Sequence, residues 1–399
     1  MKTKERLFNR NFVFLTLSGL IVSFGYSMIA PLITPYGVSL GTSLAVAGSL
    51  TGIYSLAALL VRPIGGVISD RFDKRMVCII SVSLITLAIF GYSIAKGVTG
   101  LFIVRVLHGI AFGVNGTVNI AILYDYIPKS RLAEGIGYYS LGQVVSQVCG
   151  PGIGVYIKDT FGYEFLFRLI AFMSIFAILL LLFTSKRPSL LKKDKTAGLS
   201  FSNLIAIPCI IYALVGGVFS LENGVINSFL LLLASERGIQ NASLFFSVNA
   251  IVLFVIRMSV GKIADRHALS LIVNVSLITS ILAMVLVGSG KVLAVLLVAA
   301  VLKAVGQGSG QISLQSACMK KVEPAKVGIA SSTFYIGADL GQGLGPIFYG
   351  EISDRFGYQI MFYSVAVLIL FFIFVFNFYE NKKNNQSYGG KEYEEEKFI

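Results

Sequence analysis

The ten residues Arg62-Pro-Ile-Gly-Gly-Val-Ile-Ser-Asp-Arg71 recur 195 positions later as Arg257-Met-Ser-Val-Gly-Lys-Ile-Ala-Asp-Arg266. The two copies share both arginines, a glycine, an isoleucine and the aspartate. Two further pairs of segments have the same offset: Gly150-Pro151 with Gly345-Pro346, and Asp159-Thr-Phe-Gly-Tyr163 with Asp354-Arg-Phe-Gly-Tyr358. Three separated matches at one offset indicate an internal duplication, in which each copy fills about half of the 399 residues.

Long uncharged stretches surround these repeats. Hydrophobic residues make up 55% of the chain and charged residues 13%, whereas soluble domains carry about 25% charged residues. A membrane-spanning helix needs about 20 mostly apolar residues. Residues 11–61 are long enough for two spans, and ten further stretches follow at 76–95, 100–124, 134–157, 165–185, 205–233, 240–264, 268–290, 292–317, 327–350 and 357–379. The sequence therefore predicts an all-α membrane protein with twelve transmembrane helices in two six-helix bundles, a parallel repeat around a central cavity.

The longest polar interruption, at 185–203, divides the chain nearly in half. We expect an N-terminal six-helix bundle at 1–184, a cytoplasmic linker at 185–203 and a C-terminal six-helix bundle at 204–380. The polar residues of 381–399 predict a disordered cytoplasmic tail.

The basic residues indicate the orientation of the chain. The formal net charge is +13, but the charges lie between apolar stretches and form no basic face for nucleic acid. The termini and the loops on their side of the membrane carry 23 Lys and Arg, and the loops on the other side carry 6. The positive-inside rule then places both termini in the cytoplasm of a protein of the plasma membrane.

Signatures of other protein classes are missing from the sequence. The four cysteines are single and far apart, so neither a disulfide framework nor a zinc site is indicated. A Walker sequence, a nucleophile elbow and clusters of metal ligands are also absent. We expect no enzyme activity, no cofactor and no metal.

Four ionisable residues stand out inside the predicted spans: Arg105, Glu222, Lys303 and Asp339. Each costs about 2.5–3.5 kcal/mol at a helix centre on insertion scales, so each needs a reason. Lys303 and Asp339 lie about 18 and 20 Å from the helix ends, at 1.5 Å per residue. We expect these two to interact, directly or through water, and protonation of Asp339 to loosen the pair. The alternatives are a neutral Glu222 hydrogen-bonded between helices and an Arg105 that anchors its helix near the interface.

Polar residues inside the spans predict a water-lined cavity that binds substrate. Four of them recur every fourth residue on one helix face, and two other helices contribute a pair each. The predicted lining is Lys303, Gln307, Gln311 and Gln315, with Asn115 and Asn119, and with Gln143 and Gln147. The alternative is hydrogen bonding between helices, worth about 0.6 kcal/mol per bond.

The repeated segments also predict a gate at the cytoplasmic rim. Gly66 allows a close helix approach, and Asp70 can accept hydrogen bonds from a helix N-terminus or pair with a nearby base. Such contacts hold one state of a rocking bundle and break in the other. The gating residues on this interpretation are Gly66, Asp70, Arg71 and Arg75, their counterparts Gly261, Asp265 and Arg266, and the kink residues Gly150, Pro151 and Gly154.

Three of these segments resemble motifs of the major facilitator superfamily of transporters. Gly66–Arg75 is similar to its motif A, GxLaDRxGRR, with Asp73 in place of glycine. Leu101–Gly109 resembles motif B, with His108 where glutamine is common. Ser146–Val155 resembles motif C, GxxxGPxxGG, with serine and valine replacing two glycines. The resemblance covers residues 8–380.

The resemblance implies a function as well as a fold. Motif C is characteristic of proton-coupled antiporters, above all drug exporters, and the motif B arginine, here Arg105, is tied to proton coupling. Glu222 resembles a proton- or cation-binding acid of some exporters, so the implied coupling residues are Glu222, Asp339 and Arg105. We expect a monomer that exports a small amphipathic molecule in exchange for protons. The alternatives are uptake of a nutrient and a receptor without transport.

Overall fold

The computed structural model describes residues 7–95, 97–128, 131–185, 205–264, 267–322 and 327–395, and the secondary structure of these residues is entirely helical. A 3₁₀ turn, Ile207–Cys209, precedes α7. The helices are α1 (Arg10–Ile29), α2 (Ile33–Ser39), α3 (Leu44–Arg71), α4 (Lys74–Ile94), α5 (Gly97–Tyr126), α6 (Leu132–Leu182), α7 (Ile210–Glu236), α8 (Leu244–Ala264), α9 (Leu269–Ser289), α10 (Leu293–Lys320) and α11 (Val327–Glu395). Most of the predicted linker lies outside the described residues.

Two of these helices are broken at equivalent glycines. Gly162 in α6 has φ 84° and ψ 170°, and Gly357 in α11 has φ 81° and ψ 166°. This backbone region is essentially restricted to glycine, and the two positions are related by the offset of 195. Each break separates two apolar segments, which explains why consecutive predicted spans appear as one long helix.

By length and composition, nine of the described helices could cross a membrane, and α8 contains a shorter apolar stretch, Leu244–Ser259. The outward surface is apolar as well. Phe172, Phe374 and Phe378 are 72%, 66% and 74% exposed. Soluble monomers rarely expose such large apolar surfaces, so this surface is suited to lipid.

The buried apolar side chains form two clusters that follow the sequence repeat. One cluster is drawn from residues 7–181 and includes Phe12 and Phe167. The other is drawn from residues 209–376 and includes Phe229 and Phe362. Each half of the chain therefore packs around a core of its own.

Hydrogen bonds at the helix ends define two faces of the bundle. Asn9, before α1, donates to the Tyr126 carbonyl at the end of α5 (2.8 Å). Tyr126 in turn donates to the Ser185 carbonyl after α6 (3.0 Å). We call the face at which α1 and α7 begin the terminal face. At the opposite face, Arg237 at the end of α7 donates to the carbonyls of Gly288 and Gly290.

The two halves meet most extensively along α3 and α11. At the opposite face the Asp354 carboxylate accepts hydrogen bonds from the backbone N–H groups of Leu44 (2.8 Å) and Ala45 (2.7 Å). Deeper in the bundle the backbones are so close that a Cβ atom on Gly48 would lie 2.4 Å from the Pro346 carbonyl oxygen. On the other side of the bundle, Ser247 of α8 donates to the Val148 carbonyl of α6.

α11 extends beyond the last predicted span. It continues to Glu395 and so includes residues 381–395, which the sequence assigns to the tail. Extending an existing helix is far easier than nucleating a new one.

Candidate functional site

A central cavity of about 340 Å³ lies between the two halves. Segments of α1, α6, α7, α8 and α10 surround it, and its wall is rich in amides. The polar lining residues are Ser23, Tyr26, Ser27, Gln143, Gln147, Asn223, Asn227, Asn249, Arg257, Lys303, Gln307 and Gln342. Four of the eight predicted lining residues, namely Lys303, Gln307, Gln143 and Gln147, thus lie in its wall.

Lys303 is the most buried cation of this wall, with only 1% of its surface exposed. Its ammonium group donates to the side-chain oxygens of Asn223 (2.9 Å), Gln307 (2.8 Å) and Asn249 (3.5 Å). All three acceptors are neutral amides. The charge is therefore solvated by dipoles from α7, α8 and α10.

Glu222 is fully buried on α7. It directly precedes Asn223, which accepts a hydrogen bond from Lys303. In the part of the chain that the structure describes, neither carboxylate oxygen has a hydrogen-bond partner. Lys303 and the Ser280 hydroxyl are the groups within electrostatic reach. An ionised carboxylate without hydrogen bonds is costly to bury, so this side chain can accept a proton at little cost in lost contacts.

The predicted direct pair of Lys303 and Asp339 is wrong. Asp339 binds Arg62 instead, with 3.1 Å between Oδ2 and Nε and 3.2 Å between Oδ1 and Nη2. α11 turns Asp339 towards α3, whereas α10 turns Lys303 towards α7 and α8. The resulting pair joins the first half of the chain to the second.

Arg62 was missed as a site residue. It comes directly after the uncharged residues 11–61, and this position is typical of a basic residue at the end of a span rather than of an intramembrane charge. Its recurrence as Arg257 was the signal that could have identified it.

Arg105 is buried in the core of the first half and is 1% exposed. Its guanidinium donates to the Leu50 carbonyl (3.0 Å) and to the Tyr92 hydroxyl (3.3 Å). It also lies 4.8 Å from the centre of the Tyr54 ring, a cation–π distance. The Tyr92 hydroxyl is 3.0 Å from His108 Nδ1, which makes His108 a packed member of this network.

The other four predicted lining residues form contacts between helices. Gln311 donates to the Ser220 hydroxyl (2.9 Å), and Gln315 donates to the Tyr335 hydroxyl (3.1 Å). Asn115 accepts from Ser81 (3.1 Å) and Asn119 accepts from Cys78 (3.3 Å), all in the core of the first half. Gln311, Gln315, Asn115 and Asn119 thus make the interhelical hydrogen bonds that are the alternative to a role in the cavity.

Three of the predicted gating residues pack α6 against α1 or line the cavity. A Cβ atom on Gly150 would lie 2.6 Å from the Ser27 Cβ, and one on Gly154 would lie 2.8 Å from the Met28 carbonyl oxygen. Pro151 lines the central cavity. The two glycines thus permit α6 to approach α1 closely.

The structure describes only some of the residues that are predicted to form the gate at the rim. Arg75 donates to the carbonyls of Leu181 and Leu182 at the end of α6, so it caps a helix. Gly66, Asp70 and Arg71 of α3 and Gly261 of α8 have helical backbone, but their side chains and surroundings lie outside the described part. Asp265 and Arg266 lie outside the described residues altogether.

Curated relatives match most of the length of this chain. The chain is 24% identical to the staphylopine export protein of Staphylococcus aureus over 353 residues, 84% of this chain and 87% of the relative. It is 25% identical to the multi-drug resistance efflux pump PmrA of Streptococcus pneumoniae over 340 residues, 82% of this chain and 84% of the relative.

Solved structures share the fold at lower identity. The nucleoside transporter NupG superposes with a TM-score of 0.74 at 17% identity, covering 91% of this chain and 98% of that one. A POT family transporter in complex with 5-aminolevulinic acid gives 0.78 at 15% identity, covering 94% and 96%. The model of the Major Facilitator Superfamily matches residues 15–332 and 212–397. The chain therefore belongs to the Major Facilitator Superfamily, whose members are membrane transporters and not enzymes.

Proposed function

We propose that the chain exports a small amphipathic molecule, a drug or a metabolite, in exchange for protons by alternating access. On this proposal twelve spans form two six-helix bundles, and the terminal face is the cytoplasmic side of the plasma membrane. The observation that carries it is the fully buried carboxylate of Glu222, which accepts no hydrogen bond of normal geometry from the described residues and directly precedes Asn223 in the wall of the amide-lined cavity. The names of two relatives, an export protein and an efflux pump, support the direction.

Glu222 and Lys303 together supply the coupling step. With Glu222 ionised, its charge cancels that of Lys303. With Glu222 protonated, Lys303 is left as a net cation held only by amides. Because a buried charge changes the field of a water-poor cavity strongly, binding of substrate and binding of a proton become mutually dependent.

The pair of Asp339 and Arg62 transmits this change between the halves. Protonation of Asp339 removes the charge that attracts Arg62 across the interface, so the two bundles can separate there. Arg105 completes the coupling set as a fixed cation within reach of Tyr54 and Tyr92. Its role is to keep the first half rigid around the cavity while the second half moves.

Glu222→Gln provides the test of this proposal. Proteoliposomes with an entrapped pH-sensitive dye are screened against a chemical panel, and active compounds are those that drive proton movement. We expect E222Q to lose substrate-driven proton movement at least tenfold while still binding substrate. Ser228→Ala is the matched control, because Ser228 is buried on the same helix and its hydroxyl also lacks a partner in the described part. Unchanged proton movement in E222Q would contradict the proposal.

The second candidate is proton-coupled or facilitated uptake of a small nutrient. It is favoured by the likeness in fold to a nucleoside transporter and to a POT family transporter. Proton gradients of either sign across inside-out vesicles separate the two candidates, because only an exchanger accumulates substrate when the lumen is acid. A correctly folded protein with no flux for any compound would favour a receptor instead.

A further inference from the structure

A second cavity of about 490 Å³ lies between α6 and α8 and opens to the side of the bundle. It shares Gln143, Gln147 and Arg257 with the central cavity. Its outer rim includes Leu141 and Met258, which are 41% and 71% exposed on the apolar surface. This space, here named the α6/α8 cleft, therefore connects the central cavity with the lipid-facing side of the protein.

The sequence repeat shows what is unusual about this cleft. Arg257 is the counterpart of Arg62, and the counterpart of Asp339 is Val144, since both pairs are separated by 195 residues. Arg62 has its carboxylate across the interface. Arg257 faces the same cleft as Val144, and among the described residues no carboxylate lies within 4 Å of it. In the part of the chain that the structure describes, one interface between the halves thus contains an ion pair, and the other contains a cation with no carboxylate beside it.

The chemistry of the cleft is complementary to an amphiphilic anion. A guanidinium binds carboxylate or phosphate through two parallel hydrogen bonds, and the Gln143 and Gln147 amides add donors beside it. Arg257 lies about 10 Å from the terminal-face end of α8, at 1.5 Å per residue. At this depth an acidic headgroup reaches Arg257 while its alkyl chain stays in the bilayer.

We propose that the α6/α8 cleft binds an amphiphilic anion from the membrane, with its carboxylate or phosphate on Arg257 and its alkyl chain along the apolar rim. The headgroup could belong to a single-chain acid or to an anionic phospholipid, since both present the same chemistry. This site does not depend on the direction of transport or on proton coupling.

The absence of tryptophan from the chain makes the proposal directly measurable. Met258→Trp places a single fluorophore at the rim of the cleft. The probe is a dibrominated fatty acid, with its methyl ester as the neutral twin, in phosphatidylcholine nanodiscs at a pH that ionises the acid. We expect the acid to quench the tryptophan fluorescence at about a tenfold lower mole fraction than the ester. This ratio corresponds to the free energy gained from one charge-assisted pair with Arg257. In M258W/R257Q this difference should disappear, and R257K should retain part of it.

The repeat supplies a second variant. In M258W/V144D the new aspartate is expected to bind Arg257 as Asp339 binds Arg62, which removes the preference for the acid. M258W/V144N, of the same size but neutral, should keep it. Phe172→Trp is the control reporter, because Phe172 is 72% exposed on α6 away from the cleft, and it should show no preference.

A dibrominated phosphatidylglycerol distinguishes the two sources of headgroup. Selective quenching by this lipid as well as by the fatty acid identifies a membrane lipid, and quenching by the fatty acid alone identifies a single-chain acid. Either result supports the site. Equal quenching by acid and ester in M258W, an unchanged preference in R257Q, or the same preference at F172W would overturn it.

Discussion

Asp339 and Arg62 form an ion pair whose contribution to folding and to transport depends on its position between the two halves. The side chains are 16% and 40% exposed, and an exposed pair contributes only about 0–1 kcal/mol to folding. This pair, however, joins two halves that have separate cores, so it acts on the equilibrium between their arrangements rather than on the stability of either half. Its loss should therefore change transport more than folding.

We expect Asp339→Asn and Arg62→Gln each to lower substrate-driven proton movement about tenfold, which corresponds to about 1.4 kcal/mol. The exchange variant R62D/D339R should recover part of the loss, because it restores opposite charges at the same separation. Initial rates in proteoliposomes measure the effect. Arg168→Gln, which removes an exposed i,i+4 pair with Glu164, serves as the control. An exchange variant no better than the single variants would argue against the pair.

For single residues, the sequence predicts which charges are buried better than it predicts their partners. The cost of burying charge identified Lys303, Glu222 and Asp339, and all three lie at helix contacts or in the cavity wall. Partners depend on the rotation of each helix, which packing between helices determines. A spacing of four places Gln311 and Gln315 on the same helix face as Lys303. Of the four residues on this face, however, only Lys303 and Gln307 line the central cavity.

Among the elements, α7 and α11 show how closely the helices of one half can pack. A Cβ atom on Gly341 would lie 2.0 Å from the Gly217 carbonyl oxygen, and one on Gly337 would lie 2.2 Å from that of Ala213. The two helices contact each other through small residues spaced four apart. In a membrane no hydrophobic effect drives helices together, so close backbone packing of this kind stabilises the contact instead. Hydropathy predicts the two spans, but it carries no information on which faces meet.

Gly341→Ala should destabilise the second half. The added methyl group has no room, and overpacking costs about 1–3 kcal/mol. We expect the apparent Tm in detergent to fall by about 5 °C. A fluorogenic maleimide reports the unfolding, because Cys78, Cys209 and Cys318 are buried in the folded protein. Gly116→Ala is the matched control on α5, where nothing lies within 4 Å of the added atom, and its Tm should not fall.

The whole molecule is a duplication whose two copies have diverged at the interface. Arg62 forms an ion pair with Asp339, whereas the equivalent position opposite Arg257 is occupied by Val144. Asp354 caps α3 across the interface, whereas its counterpart Asp159 is 59% exposed and pairs with its neighbour Lys158. The reason is local: α8 begins at Leu244, five positions beyond the counterpart of Leu44, so Asp159 has no helix start to cap. The offset of 195 predicts the symmetry, and only the structure shows where it is broken.

Because of this asymmetry, we expect Asp354 to help hold the halves together at the opposite face. Its carboxylate accepts from two N–H groups at the positive end of α3, an arrangement worth about 0.5–2 kcal/mol. Asp354→Asn weakens both bonds without changing the size of the side chain. We expect the halves to separate more often at that face, so that the cavity becomes accessible from it.

Labelling of the cavity from the opposite face measures this opening. Asn227→Cys places a thiol in the cavity wall, in a background where the exposed Cys149 is replaced by serine. A membrane-impermeant maleimide added at that face should react about fivefold faster in D354N than in the parent, since 1 kcal/mol corresponds to about this ratio. Asp159→Asn is the matched control and should leave the rate unchanged, because its carboxylate holds no helix of the other half. Equal acceleration by both variants would mean that net charge at this face, and not the cap on α3, controls the opening.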